Sequence, residues 1–261
     1  MLRPRLIPCI LVRDGEVEKT VKFRPGKYIG DPVNTVRLFS DLQADELLVL
    51  DISAKLSTGP DFELIQRIAR DARMPVCYGG GISRLDQIIE IIQLGIEKVA
   101  LGRSASSNLS LIENAAAVVG SQSLVGVVDV KTSGFLNQAF KVYVDNGKNQ
   151  VADSPVHYIE RLQQAGIGEI LLQSIDRDGT QQGFDEALLG MVYPTLRSPL
   201  TILGGANNLG QIASLSRSFG GVGFAAGSLF CFKGNRNAVL INYPSIEERQ
   251  KLFQRQDVKI T

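Results

Sequence analysis

Three pairs of residues at the ends of short apolar runs recur at one spacing. Asp51 in Leu48-Val-Leu-Asp-Ile-Ser53 and Asp176 in Gln173-Ser-Ile-Asp-Arg-Asp178 stand 125 residues apart, as do Gly79-Gly80 and Gly204-Gly205, and as do Gly102 and Gly227. Self-similarity in one order and at one shift constrains the fold strongly, because each copy is a unit that needs its neighbour to bury an apolar face. The apolar runs are Leu6–Val12, Leu47–Ile52, Val76–Tyr78, Val99–Leu101, Leu124–Val130, Ile170–Ile175, Leu200–Leu203 and Val222–Ala226, eight candidate strands. Between them, Thr35–Leu42, Asp61–Ala72, Leu85–Leu94, Leu109–Val119, Pro155–Ala165 and Asp185–Tyr193 carry helical spacing, several opened by a capping side chain or an early proline. Alternating strand and helix requires parallel strands joined by crossover helices. Eight units with a half-chain repeat favour a closed barrel over an open sheet, and no Gly-x-Gly-x-x-Gly follows the first strand. The expectation is an α/β chain forming a single (β/α)8 TIM barrel with a half-barrel internal repeat, one domain over residues 1–261.

The 261 residues, 44% hydrophobic and 21% charged, suffice for such a core. A net charge of +1 gives no broad basic field, so neither nucleic acid nor an anionic membrane is expected as partner. Leu6–Val12 is too short for a signal sequence and no run spans a bilayer, so a cytoplasmic protein is expected. Cys9, Cys77 and Cys231 have no metal-ligand spacing, and neither a metal nor a cofactor is expected. The lone histidine, His157, falls in a helical segment and suggests a surface role.

Two connections exceed what a barrel loop needs, Arg13 to Asp31 and Lys131 to Asp153. The first, with Lys19, Lys22, Arg24 and Lys27, is basic enough to close over an anion, or is simply a solvated face. The glycines of Gly79-Gly80-Gly81 and Gly102-Arg103-Ser104, and of Gly204-Gly205 and Gly227-Ser228, let backbone N–H groups approach an anion. Repeated in both halves, they imply two anion sites across the mouth and an elongated ligand charged at both ends. Arg103 either binds the anion or blocks it. Carboxylates at strand ends, Asp51, Asp129, Asp176 and Asp178, are candidates for acid and base work, with Gly179 and Thr180 completing the loop after the sixth strand. Some of these carboxylates instead cap loops or pair with Lys131 or Arg177.

Ser174-Ile-Asp-Arg-Asp-Gly-Thr180, Tyr78-Gly-Gly-Gly-Ile82 and Asp31-Pro32 resemble the cyclase subunit family of imidazole glycerol phosphate synthase, from Arg5 to about Phe232. In that family a barrel with a pair of phosphate sites receives ammonia from a glutaminase. The resemblance implies a lyase-type synthase subunit, a glutaminase partner, a phosphorylated or nucleotide-linked ligand, and an ammonia gate at Arg5, Glu46, Lys98 and Glu169. It also implies an acid/base pair at the ends of strands one and five.

Asp129 matches the second of that pair, whereas Leu11 stands where the first belongs, and a hydrocarbon transfers no proton. Gly102-Arg103-Ser104 replaces the family's Asn-Thr, and Asn237-Ala-Val-Leu-Ile-Asn-Tyr-Pro244 is strand-like where the family has a terminal helix. With Lys19-Thr-Val-Lys-Phe23 and Tyr28-Ile-Gly-Asp-Pro32, these features resemble a sister branch that modifies surface polysaccharides, lipopolysaccharide included. Its members resemble subunits that work with a glutaminase and a third, ATP-using protein to form acetamidino sugars. Three alternatives stay open: the cyclase of histidine biosynthesis, a scaffold that only activates the glutaminase, and the related sugar-phosphate isomerase barrel, which would also want an acid at position 11.

Overall fold

The computed structural model describes residues 4–134, 139–234 and 236–253. Eight parallel strands close on themselves: β1 (Arg5–Arg13), β2 (Leu47–Asp51), β3 (Val76–Gly79), β4 (Lys98–Leu101), β5 (Leu124–Ser133), β6 (Glu169–Ser174), β7 (Leu200–Leu203) and β8 (Val222–Ala226). Each pairs with the next, and β8 pairs with β1. This is the (β/α)8 TIM barrel expected from the alternation.

Around it lie α1 (Pro32–Asp41), α2 (Phe62–Asp71), α3 (Leu85–Gln93), α4 (Leu109–Val119), α5 (Pro155–Gln164), α6 (Glu186–Val192), α7 (Leu209–Ser218) and α8 (Ile246–Phe253). Most starts are fixed by a side chain satisfying a free backbone N–H of the first turn: Asp31, Asp61, Asn108, Ser154, Asp185 and Asn208. Pro32 and Pro155 add a preset φ. Period-two alternation divides the core in two. Leu6, Ile10 and Val12 of β1 pack outward with Phe39, Ile65 and Ile212, while Ile7, Cys9 and Leu11 pack in the lumen with Leu48, Cys77, Val125, Leu171 and Leu203. Each fully buried Leu or Ile contributes roughly 1.5–3 kcal/mol.

Three expectations need correction. Each long connection is a β-hairpin extending its strand. Glu16–Val21 returns along β1 and pairs with Arg24–Gly30, and Ala139–Val144 returns along β5 and pairs with Asn149–Ala152. The signals were Asp14-Gly15 and Asp145-Asn146-Gly147, which take positive φ at the turns. Of Lys131 to Asp153, residues 135–138 lie outside the described residues.

The strand-like C-terminal stretch keeps that form only at Ala238–Val239, paired with Phe232–Lys233, and α8 follows. Tyr243 from this segment donates to the Leu6 carbonyl (2.8 Å) and accepts from the Asp45 N–H (3.1 Å), so the segment is stapled beside the start of β1.

The repeat is real, but its register is not uniform. Ala100 faces Gly79 as Ala225 faces Leu203, so Gly80 corresponds to Gly204. Leu50 faces Gly79 as Gln173 faces Leu203, which matches Asp51 with Ser174 and not with Asp176. The backbone agrees. A Cβ on Gly80 (φ +141°) would lie 2.5 Å from the Asp51 carbonyl oxygen, and one on Gly204 (φ +101°) 2.6 Å from that of Ser174. Only Gly102 and Gly227 keep the spacing of 125, because Ala100 and Ala225 correspond. Side chains alternate with period two, so a shift of two residues leaves every inward residue inward and is invisible to patterning.

Candidate functional site

The C-terminal ends of the strands open into a cavity of about 590 Å³. Gly80, Gly81, Gly102, Arg103, Ser104 and Asp129 line it together, with Leu11, Leu50, Val127 and Gln173. These residues are brought to one place although they run from Leu11 to Gln173 in the chain. Asp178, Gly179, Gly204, Gly205, Gly227 and Ser228 instead line a separate recess of about 10 Å³ with Lys19. Asp176 and Thr180 line neither.

Leu11 and Asp129 hold equivalent places. Leu11 faces Leu50 across β1 and β2, and Asp129 faces Gln173 across β5 and β6. At these paired positions the first half carries hydrocarbon and the second polar groups. Asp129 keeps an edge toward the cavity while its Oδ1 is covered and has no hydrogen-bond partner. Burial, reinforced by the negative charge of Asp178, pushes its carboxyl up to about 7. A group held there both gives and takes a proton near neutrality. Asp14, the other acid near the end of β1, is exposed in the hairpin turn, where its N–H donates to Ser53 Oγ (3.0 Å).

The remaining carboxylates are already engaged. Asp178 is buried and accepts from Thr20 Oγ1 (2.8 Å), Lys19 Nζ (3.3 Å) and the Phe23 N–H (3.3 Å), so it anchors the first hairpin. Asp176 accepts from the Thr132 N–H (2.7 Å) and ties β6 to β5. Asp51 caps its own loop through Ser53 and Ala54. Thr180 Oγ1 donates to the Arg177 carbonyl (2.9 Å). Lys19, named in sequence only as part of a basic loop, is buried against the recess. The first hairpin is thus pinned down by its own lysine. His157 is exposed, as its place on a helix suggested.

At the opposite end of the barrel, Arg5, Glu46, Lys98 and Glu169 close a four-membered ring. Arg5 pairs with Glu46 and, at 2.8 Å, with Glu169, while Lys98 lies 2.9 Å from both carboxylates. Thr201 Oγ1 donates to Glu169 (2.7 Å), a contact absent from the sequence reading because threonine carries no charge to draw notice. Burial pushes the Glu169 carboxyl up, but Arg5 and Lys98 outweigh it and hold it below the usual range. Lys98 is shifted upward by the same two carboxylates against the opposing effect of burial.

No helix among the described residues is long and apolar enough to cross a membrane. Residues 5–236 match the family model described as histidine biosynthesis protein. The chain is 44% identical to a protein of Leptospira interrogans provisionally named imidazole glycerol phosphate synthase subunit HisF, over 97% of this chain and 100% of the relative. It is 43% identical to a provisionally named subunit hisF2 of Pseudomonas aeruginosa, over 95% and 98%. It is 32% identical to the imidazole glycerol phosphate synthase subunit HisF of Natranaerobius thermophilus, over 94% and 97%. With a closed eight-stranded barrel and near full-length similarity to these subunits, the chain belongs to the histidine biosynthesis protein family, among its HisF-like cyclase subunits.

Proposed function

We propose that this chain is the ammonia-accepting subunit of a glutamine amidotransferase, partnered by a glutaminase docked on the strand-start face of the barrel. The closed ring of Arg5, Glu46, Lys98 and Glu169 carries this reading. Two carboxylates, a guanidinium and an ammonium are costly to desolvate, and packed hydrocarbon would close a barrel floor as stably. A ring with Lys98 on a flexible stem serves instead as a gate that admits a small neutral molecule and excludes ions. Ammonia then enters the lumen, and the groups at the mouth, Asp129 above all, act on it or on its acceptor, with Asp176 and Asp178 holding the loops that shape the site. Gly80, Gly81, Gly102, Arg103 and Ser104 on one side bind a phosphorylated or nucleotide-linked ligand, and Gly179, Thr180, Gly204, Gly205, Gly227 and Ser228 on the other take its second anionic group once the Lys19 side chain turns out of their recess.

The reaction served is the formation of an acetamidino sugar for a surface glycan, with a third, ATP-using protein activating the sugar amide. Leu11 supports this over imidazole formation, since ring closure lacks one of two proton-transfer groups. The unpartnered carboxyl of Asp129 favours a second reading, a surviving cyclase of histidine biosynthesis. The test mixes the purified chain with its glutaminase, glutamine and the cyclase's ribulosyl phosphate substrate, and follows glutamate and imidazole product separately. Stimulated glutamine hydrolysis without imidazole is expected. Robust imidazole turnover abolished by Asp129→Asn would restore histidine biosynthesis.

A further inference from the structure

At the cavity rim an ion pair bridges two separate elements. Arg103, directly after β4, pairs with Asp145 at the tip of the hairpin that follows β5. The Asp145 carboxylate also accepts from Asn149 Nδ2 (2.6 Å). Both partners line the cavity with Gly102 and Ser104, and the exposed Lys55 and Lys148 stand on the same rim. Burial pushes the Asp145 carboxyl up, but Arg103 and Asn149 outweigh it and keep the group ionised. The Arg103 side chain is still 53% exposed, so the guanidinium has donors to spare and room to turn.

Such a pair changes what the neighbouring loop selects. An incoming monoanionic carboxylate gains nothing over Asp145, since it offers Arg103 the same charge and the same fork geometry. A phosphate or sulfate dianion carries more charge and a third acceptor oxygen, and it draws on Lys55 and Lys148 as well. We propose that Arg103 is the specificity-determining residue of this anion site and that Asp145 is its built-in competitor, so that the site admits dianionic groups and rejects monoanionic ones. The proposal rests on the reading of the mouth as an anion-binding site and adds the selectivity of one side of it. It also decides between the two roles open to Arg103 in favour of binding.

The test is a titration of the full chain with inorganic phosphate and, separately, acetate, followed by the backbone amide resonances of Gly102 and Ser104 and, as an internal comparison, of Gly205 and Ser228. Asp145→Asn is a mild variant, because asparagine tolerates the positive φ of +55° at this turn and still accepts from Asn149. Removing the competitor should tighten phosphate at Gly102 and Ser104 about tenfold, or about 1.4 kcal/mol, and admit acetate, while Asp145→Glu behaves as the parent chain. Arg103→Ser should weaken phosphate there at least tenfold and leave Gly205 and Ser228 unchanged. Tighter phosphate binding in Arg103→Ser, or no change in Asp145→Asn, would overturn the proposal while leaving the anion reading standing. No phosphate response at any of the four amides would remove the anion reading and this proposal with it.

Discussion

The two halves of the barrel are built on one plan and finished differently. Leu50 corresponds to Gln173 and Leu11 to Asp129, so the same inward positions of β1 and β2 end in hydrocarbon while those of β5 and β6 end in polar groups. The loops diverge as well. Those of the first half border an open cavity, whereas those after β7 and β8 are filled by Lys19 from the first hairpin and Asp178 from the loop after β6. Strand pairing and glycine placement therefore set where a site can form, and a few inward side chains and one hairpin decide what each half of it does.

Making the halves alike again should have the largest effect. Leu11→Asp restores a carboxylate opposite Asp129, and a positioned proton-transfer group commonly contributes about 10²–10⁴-fold. Imidazole formation from ammonia and the ribulosyl phosphate should rise by at least about 10²-fold from a negligible parent rate. An unchanged rate in a folded variant would mean that more than the missing acid separates this mouth from a working cyclase.

The charge ring offers the next comparison, because it takes one carboxylate from each half. Glu46 and Glu169 both accept from Arg5 and Lys98, but only Glu169 also accepts from Thr201. Glu169→Gln strands cations at an end where Arg5 keeps 27% of its side-chain surface exposed, so the loss should be about 2–3 kcal/mol, below that for a fully buried pair. Glu46→Gln should lose about 1 kcal/mol less. The Glu169 carboxyl is held below its unfolded value, so its contribution is present above the ordinary glutamate range and is lost as pH falls through the folded value. Urea denaturation at pH 7 and pH 3 checks both points, and an equal loss at the two pH values would refute the ion-pair account.

Asp129 titrates with the opposite sign. Its folded value of about 7 lies above the ordinary 3.8, so its burial costs nothing below the unfolded value and its full cost is reached only once pH has risen through 7. Asp129→Asn should stabilise the chain by about 2–3 kcal/mol at pH 9, a gain that shrinks toward zero near pH 4. The edge open to the cavity keeps the figure below the full difference. The same denaturation series reads it, and a pH-independent difference would show the carboxyl to be well solvated.

Much of this architecture was legible in the sequence, for physical reasons. Leu200–Leu203 and Val222–Ala226 match the strands because both faces are buried and the apolar run ends where burial ends. The glycine loops and Asp129 were legible as residue types at strand ends, and the ring through the family resemblance alone. What was not legible depends on geometry between elements. Nothing local in Lys19 says that it crosses the mouth to Asp178, and nothing in Arg103 names Asp145 as its partner. α7 (Leu209–Ser218) was missed because Ser214, Ser216 and Ser218 dilute its apolar spacing.

The smallest expected effect tests the register of the repeat. If Gly80 and Gly204 are equivalent, alanine at either meets a backbone carbonyl at 2.5 or 2.6 Å and also a positive φ, and neither can be relieved without moving β2 or β6. Gly79, the match under a uniform spacing of 125, differs. Its φ is not positive, and an added Cβ meets the Ala100 Cβ at 2.9 Å, the Ala100 carbonyl oxygen at 3.0 Å and Leu50 Cδ2 at 3.1 Å, of which the leucine can rotate. Gly80→Ala and Gly204→Ala should therefore lose similar amounts of stability, each about 1–2 kcal/mol more than Gly79→Ala, since strained backbone of this kind costs about 1–3 kcal/mol. Thermal unfolding of the three variants under one condition measures the difference. If Gly79→Ala and Gly204→Ala instead fell together and Gly80→Ala were milder, the uniform spacing would be right, and Asp51 would regain Asp176 as its counterpart.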